Sequence, residues 1–354
     1  MSEGWQELSP EIGRQELERW LRGLAAPVAI TGATGFIGVN LLNVLAGSGL
    51  RPRVLVRDLR RLPEHLAGHV EAIRGDLEDE TALAEMCGGA ATVLHLAGLV
   101  RAPDEAAFDR ANRAGTARLV DVLSRVAPGA RLVHLSSLAA AGPSSSPAGR
   151  GPGDEPCPIS AYGRSKLAGE REAMRHQGPW VVLRPPAVYG PRDIDILQFF
   201  RLVGRGVVPI PAGERRVTMV HVADVVRALL AAAAGAATGR VLHLGAPTPL
   251  DMREVIATIA AAGGLKARTI SLPPWVVRAA GHGGDLMQRL GFRKIALTSD
   301  KATELLARHW AAQTADSLAA LGLTGVVPFA QGASATWDWY RRHGWVPRVK
   351  MRLV

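Results

Sequence analysis

The chain has 354 residues, is 47% hydrophobic and carries a formal net charge of +10 from 42 Lys and Arg against 32 Asp and Glu. That composition buries a large core in one big domain or two closely packed ones, and no run approaches the roughly 18 uninterrupted apolar residues of a membrane span. Cys87 and Cys157 are the only cysteines and have no metal or disulfide spacing, so a metal site is not expected; without a dense basic run interleaved with aromatics, neither is nucleic acid.

The acidic start, without a signal-peptide core, points to the cytoplasm. Trp5, Leu8, Ile12, Leu17, Trp20, Leu21 and Leu24 recur at helical spacing and predict one or two amphipathic helices packed on the main body. Pro27 to Gly38 then reads as a buried strand (Val28, Ala29, Ile30), a glycine-rich turn and the start of a helix running to Leu45. Such a unit makes a phosphate site: the free N–H groups of the helix's first turn face the anion, and Gly32, Gly35 and Gly38 serve the sharp turn, the close approach and helix-on-strand packing. The spacing is G-x-x-G-x-x-G, not the usual G-x-G-x-x-G.

Arg53 to Val56 predicts a second strand, ended by Arg57 about nineteen residues past Gly38, where such folds meet the adenosine ribose. Arginine there suits a 2′-phosphate, with Arg60 and Arg61 adding charge, so NADP(H) is favoured; Asp58 keeps NAD(H) open, because a small rotation brings its carboxylate to the ribose. A third strand ends at Gly75-Asp76-Leu77, where Asp76 either accepts from the adenine amino group or caps the helix near Thr81. The fourth, Thr92 to Gly98, ends in Ala97 and Gly98, which leave space beside the cofactor ribose. The fifth, Leu132 to Leu135, ends in Ser136-Ser137. A loop over 143–158, a helix from Ala161 to Gln177, a sixth strand at Val181 to Leu183, a strand at Thr218 to Val222, a helix from Val225 and a strand at Val241 to Leu244 follow. Alternating strands and helices predict an α/β fold, a doubly wound parallel (Rossmann) sheet. The last third, with joints expected at Pro273-Pro274 and Gly281 to Gly284, reads as a smaller C-terminal substrate-binding cap.

Tyr162 and Lys166 are i and i+4 and share one helix face. A lysine ammonium one turn away, with an oxidised nicotinamide, lowers a phenol's pKa, and the lysine also reaches the nicotinamide ribose. Ser137 hydrogen bonds the substrate oxygen, with Ser136 its competitor on the opposite face. Asn112 is placed to hold a water connecting Lys166 to solvent.

Thr31-Gly32-Ala33-Thr34-Gly35-Phe36-Ile37-Gly38, Gly75-Asp76-Leu77, His95-Leu96-Ala97-Gly98, Asn112-Arg113-Ala114-Gly115-Thr116, Ser136-Ser137, Tyr162-Gly163-Arg164-Ser165-Lys166 and Leu183-Arg184-Pro185-Pro186-Ala187-Val188-Tyr189-Gly190-Pro191 together resemble the extended short-chain dehydrogenase/reductase family, the NAD(P)-dependent epimerase/dehydratase group, over roughly residues 27–345. The resemblance implies Ser137, Tyr162 and Lys166 as catalytic residues supported by Asn112. It adds Thr34, Phe36, Ile37, Leu77, Pro185 and Val188 to the cofactor contacts, gives the His221 segment a role in seating the cap, and implies a homodimer.

Two departures narrow the chemistry. The family's nucleotide-sugar dehydratases place an Asp-Glu pair after the active-site serine or threonine; here Leu138 and Ala139 follow, and Leu138 to Ala141 offer a small apolar wall. Its nucleotide-sugar epimerases usually carry an asparagine after the sixth strand's arginine; here Pro185-Pro186-Ala187 follow Arg184. The match is nearer the 3-beta-hydroxysteroid-dehydrogenase-like and ketone-reducing branches. The expected reaction is hydride transfer between NADP(H) and a secondary alcohol or ketone on a mainly apolar small molecule. The alternatives are a nucleotide-sugar epimerase with Arg216 gripping a phosphate, and a catalytically silent NADP sensor. Basic and apolar residues mix in Arg278 to Lys294 and Arg341 to Lys350, which either pack and solvate normally or rest against anionic lipid. The expected organisation is a helical extension over 1–25, a dinucleotide-binding domain over 26–185 and 215–248, a cap over 186–214 and 249–345, and a tail over 346–354.

Overall fold

The computed structural model describes residues 14–290, 292 and 297–346. Six strands alternate with helices through the first half: β1 (Val28–Thr31), β2 (Arg53–Val56), β3 (Glu71–Arg74), β4 (Thr92–His95), β5 (Arg131–Leu135) and β6 (Trp180–Arg184). Then come β7 (Ala187–Tyr189), β8 (Val207–Pro211), β9 (Arg216–Val217), β10 (Met219–His221) and β11 (Arg240–His243). The main sheet has seven strands, all parallel, in the order β11-β6-β5-β4-β1-β2-β3. The order reverses between β1 and β4, which opens a crevice at the strands' carboxyl ends.

Alternation along each strand builds two apolar layers. Val28, Ile30, Val54, Val56 and Leu94 pack under the helices Arg14–Gly23, Phe36–Ala46 and Val222–Ala233. Ala29, Leu55, Ile73, Val93 and Leu132 pack under Glu80–Cys87, Gly115–Val126 and Ala161–Ala173. The N-terminal helix lies against Val222–Ala233, with Leu17 and Trp20 buried. Its Glu16 meets the fully buried Arg227, which also donates to Asp224 at 2.8 Å, and it accepts from Thr324 Oγ1 at 2.6 Å. The predicted helix positions Trp5, Leu8 and Ile12, the end of the basic stretch at Lys294, and residues 347–354 with Arg348 and Lys350 lie outside the described residues.

In the last third, β13 (Arg268–Leu272) pairs with β8, while β12 (Leu250–Asp251) and β14 (His309–Trp310) flank β9. Helices Met252–Ala262, Pro274–Arg289, Ser299–Leu306, Ala315–Leu321 and Phe329–Arg342 complete it. Gly281 to Gly284 do not form a joint; they lie inside the helix Pro274–Arg289. A Cβ on Gly281 would stand 2.8 Å from Ala302 Cβ and 3.0 Å from the Thr298 carbonyl, so glycine there admits the neighbouring helix Ser299–Leu306. The 143–158 loop is tied down from the same region: Ser144 N donates to the His309 carbonyl at 2.8 Å and Gln313 N to the Arg150 carbonyl at 2.8 Å. At the chain's end Trp345 stacks on Tyr340, ring centroids 5.7 Å apart. Among the described residues no helix is long and apolar enough to cross a membrane.

Candidate active site

The glycine turn is built by steric exclusion. Gly32 has φ +73°, and a Cβ there would meet Ala97 N at 2.5 Å, because the ends of β1 and β4 approach backbone to backbone. A Cβ on Gly38 would lie 2.3 Å from the Gly32 carbonyl oxygen, so the helix Phe36–Ala46 seats on the turn only with glycine at that point. Its N-cap, Gly35, supplies no side-chain acceptor, and the first-turn N–H groups stay available to an anion.

A cleft of about 350 Å³ opens at this turn, lined by Gly32, Thr34, Gly35, Arg57, Asp76, Leu77, Ala97 and Gly98 among others. These eight predicted cofactor residues are therefore brought together. Gly38 is buried beneath, and Phe36 and Ile37 are half-buried against the core. Pro185 is also buried, its carbonyl accepting from Leu138 N at 2.8 Å, and Val188 lies in β7 opposite Val220. Asp76 is not the helix cap: Asp79 fills that position, accepting from Ala82 N at 3.0 Å, while Asp76 accepts from Glu78 N at the cleft wall. Asp58 accepts from Arg60 Nε at 2.9 Å and Arg60 Nη2 at 3.1 Å, which draws its pKa down and opposes the rotation toward a ribose.

Below the crevice lies a network the sequence did not reveal. His95, fully buried at the end of β4, sits between Thr31 Oγ1 at 2.6 Å and Thr116 Oγ1 at 3.0 Å. Thr116 donates to the Asn112 carbonyl, so it accepts from His95 Nε2–H. Burial, reinforced by Lys166, lowers the His95 pKa to about 3; the ring is neutral and its Nδ1 takes the Thr31 proton. The β1–β4 register, Thr31 opposite His95, is the signal, and it exists only once strands pair.

Asn112 lies in a π-helical segment, Asp109–Ala114, a distortion common at functional sites. Its Nδ2 donates to the Leu99 carbonyl at 3.0 Å and Ser165 Oγ at 2.8 Å, and its Oδ1 accepts from Leu99 N at 2.8 Å. The amide thus clamps the loop after β4 to the helix Ala161–Ala173. A Cβ on Gly98 would fall 2.9 Å from Asn112 Oδ1 and 3.6 Å from Lys166 Nζ, which puts the lysine at the cleft's inner end.

The two serines at the end of β5 divide as pleating requires. Ser136 is buried and donates to Glu170, which also receives Arg184 through two bonds of 2.8 and 2.7 Å. Ser137 caps the short helix Leu138–Ala141 and hydrogen bonds the half-buried Tyr162. Lys166 is buried and donates to the Leu135 carbonyl at 2.7 Å. Burial lowers its pKa to about 8, against the pull of Glu170. The expected lowering of Tyr162 by Lys166 is not what this arrangement produces. Burial pushes the phenol up to about 12, Ser137 opposes that, and Glu304 and Asp195 add to it. Arg216, the alternative phosphate grip, pairs with Glu214 at 3.1 Å.

A glycine cradle with no room for a Cβ on Gly32 or Gly38, an uncapped helix N-terminus and a lysine at the cleft's inner end suit a dinucleotide; they define an NAD(P)-dependent enzyme of the extended short-chain dehydrogenase/reductase type. Residues 28–245 match the NAD dependent epimerase/dehydratase family, and the chain belongs to it. It is 37% identical over 330 residues to "Ceramide reductase" of Caulobacter vibrioides, covering 91% of this chain and 96% of the relative. A 4-hydroxy-2-methyl-3-oxo-4-farnesyl-3,4-dihydroquinoline-1-oxide ketoreductase of Stigmatella aurantiaca is 29% identical over 321 residues, covering 86% and 94%. Among solved structures, MoeE5 in complex with UDP-glucose and NAD superimposes with a TM-score of 0.70 at 28% identity, covering 90% of this chain and 99% of that one.

Proposed function

We propose that the protein is an NADPH-dependent reductase of a ketone on a long-chain, mainly apolar molecule. The observation that carries this reading is the surroundings of Tyr162. Leu138, Ala139, Ala140 and Ala141 are all buried and apolar, and the two acids acting on the phenol are both engaged. Glu304 accepts from Ser160 Oγ at 2.6 Å and Lys301 Nζ at 2.7 Å, and Asp195 pairs with Arg101. Neither is free to serve as the base that eliminating water requires. The exposed side chains of Val100 and Ile194 flank that Arg101–Asp195 pair, an apolar entrance suited to a chain rather than a sugar nucleotide. The likeness to a ceramide reductase and a farnesylated ketone's reductase supports the same substrate class.

Gly32, Thr34, Gly35 and Gly38 would hold the pyrophosphate, Asp76 and Leu77 the adenine, and Ala97, Gly98 and Lys166 the nicotinamide half. When bound, the nicotinamide supplies the hydride. Tyr162 gives its hydroxyl proton to the carbonyl oxygen, and Ser137 donates a hydrogen bond to the same oxygen. Lys166 has further donors beyond the one spent on Leu135, and its charge stabilises the phenolate left behind. Arg57 and Arg61 in the cleft, with Arg60 and Arg74 beside them, favour a 2′-phosphate.

The test is product analysis with NADPH and a dispersed long-chain ketone. NADPH loss equal to alcohol formed, abolished in Tyr162→Phe, supports the reading. Interconversion of a nucleotide sugar with no net cofactor change would replace it with the epimerase.

A further inference from the structure

The helix Pro274–Arg289 is amphipathic in the unusual sense. Its buried face is small, with Val277, Gly281 and Gly284 set against the helix Ser299–Leu306. Its outer face carries Trp275, Ala279 and Leu286, and Leu290 just past its end, spaced i, i+4, i+11 and i+15, which keeps them on one side. Trp275 and Leu290 are each 68% exposed and Leu286 58%, so these large side chains contribute almost nothing to the fold. Met287 and Phe292 extend the apolar surface.

Arg278, His282 and Arg289 are exposed along one edge of this stripe. The helix's one acid, Asp285, is half-buried, accepts from Ser299 N at 3.1 Å and also interacts with His282 and Arg289. The exposed face therefore combines large apolar groups with an edge of net positive charge, Arg278 and Arg289 against Asp285. Gln288 Nε2 donates to the Pro103 carbonyl at 2.8 Å, which anchors the end of this helix to the loop carrying Val100 at the site's entrance.

We propose that this face docks on an anionic lipid bilayer, with Trp275, Leu286 and Leu290 entering the headgroup region and Arg278 and Arg289 meeting lipid phosphates. Charge complementarity selects this occupant. A second copy packed antiparallel on the same face, with the two-fold axis across the helices, would bring two edges of net positive charge together. An anionic bilayer accepts both the apolar stripe and the cations beside it. The surface is independent of the reaction proposed above, but it sets the entrance beside the lipid where a long-chain substrate resides.

Co-sedimentation of the full chain with vesicles tests this without any substrate. Binding to vesicles containing phosphatidylglycerol, weak binding to pure phosphatidylcholine, and at least a tenfold loss of partitioning in the Trp275→Ser, Leu286→Ser, Leu290→Ser triple variant are expected. The Arg278→Gln, Arg289→Gln double variant, which leaves all packing intact, should lose binding similarly and guards against a folding defect in the triple. No binding by the parent chain, or binding that neither variant reduces, overturns the proposal. So does a concentration-dependent dimer, seen by sedimentation velocity, that the triple variant abolishes.

Discussion

The Lys166 ammonium donates to the Leu135 carbonyl at 2.7 Å, which holds the lysine under the end of the strand that presents Ser137. One backbone oxygen thus couples the helix bearing Tyr162 to the strand bearing its partner. The lysine's charge is kept in a buried position that lowers its pKa to about 8.

That value sets a pH limb. Below about pH 8 Lys166 is charged and stabilises the phenolate formed as Tyr162 gives up its proton; above it that support is lost. Ketone reduction is expected to fall as pH rises through 8. In Lys166→Met the limb should vanish and kcat drop by about 10²-fold or more. Steady-state rates from pH 6 to about 10 check both, the Tyr162 pKa of about 12 lying above the window.

Ser137→Ala and Ser136→Ala should separate cleanly. The first removes a donor to the reacting oxygen and should lower kcat by about 10²-fold with little change in stability. The second removes a bond to Glu170 inside a buried ion pair and should cost about 1 kcal/mol in urea unfolding while kcat holds.

Arg227→Met leaves the carboxylates of Asp224 and Glu16 without their buried partner. Loss of about 3–5 kcal/mol is expected from denaturant unfolding. Burial already raises the Asp224 pKa to about 6, so its charge is disfavoured in the folded chain. The raised value means that the folded state binds the proton more tightly, so the Asp224 penalty is full above about pH 6 and shrinks as pH falls toward its ordinary range.

Arg57→Ser should weaken NADPH binding about tenfold or more, some 1.4 kcal/mol, and leave NADH nearly unchanged. Fluorescence titration with the two cofactors measures the difference directly.

Gly38→Ala places a methyl where only 2.3 Å separates it from the Gly32 oxygen. The helix must shift off the turn, so binding of either dinucleotide should fall at least tenfold in the same titration.

Much of this protein was written in local pattern. Short apolar runs separated by amphipathic helices dictated a parallel sheet, because the inner strands are apolar on both faces and each connection is long enough to cross over. The glycine spacing and the Tyr162–Lys166 interval were equally plain, since both depend on neighbours in the chain. Three things waited for the fold. Which serine faces Tyr162 depends on how β5 is turned. The His95 network needs β1 and β4 side by side in register. Gly281 looked like a bend because glycine loosens a chain, yet here it admits a second helix. Each of these is a contact between distant segments, and a one-dimensional pattern records where an apolar or small residue stands but not what arrives against it.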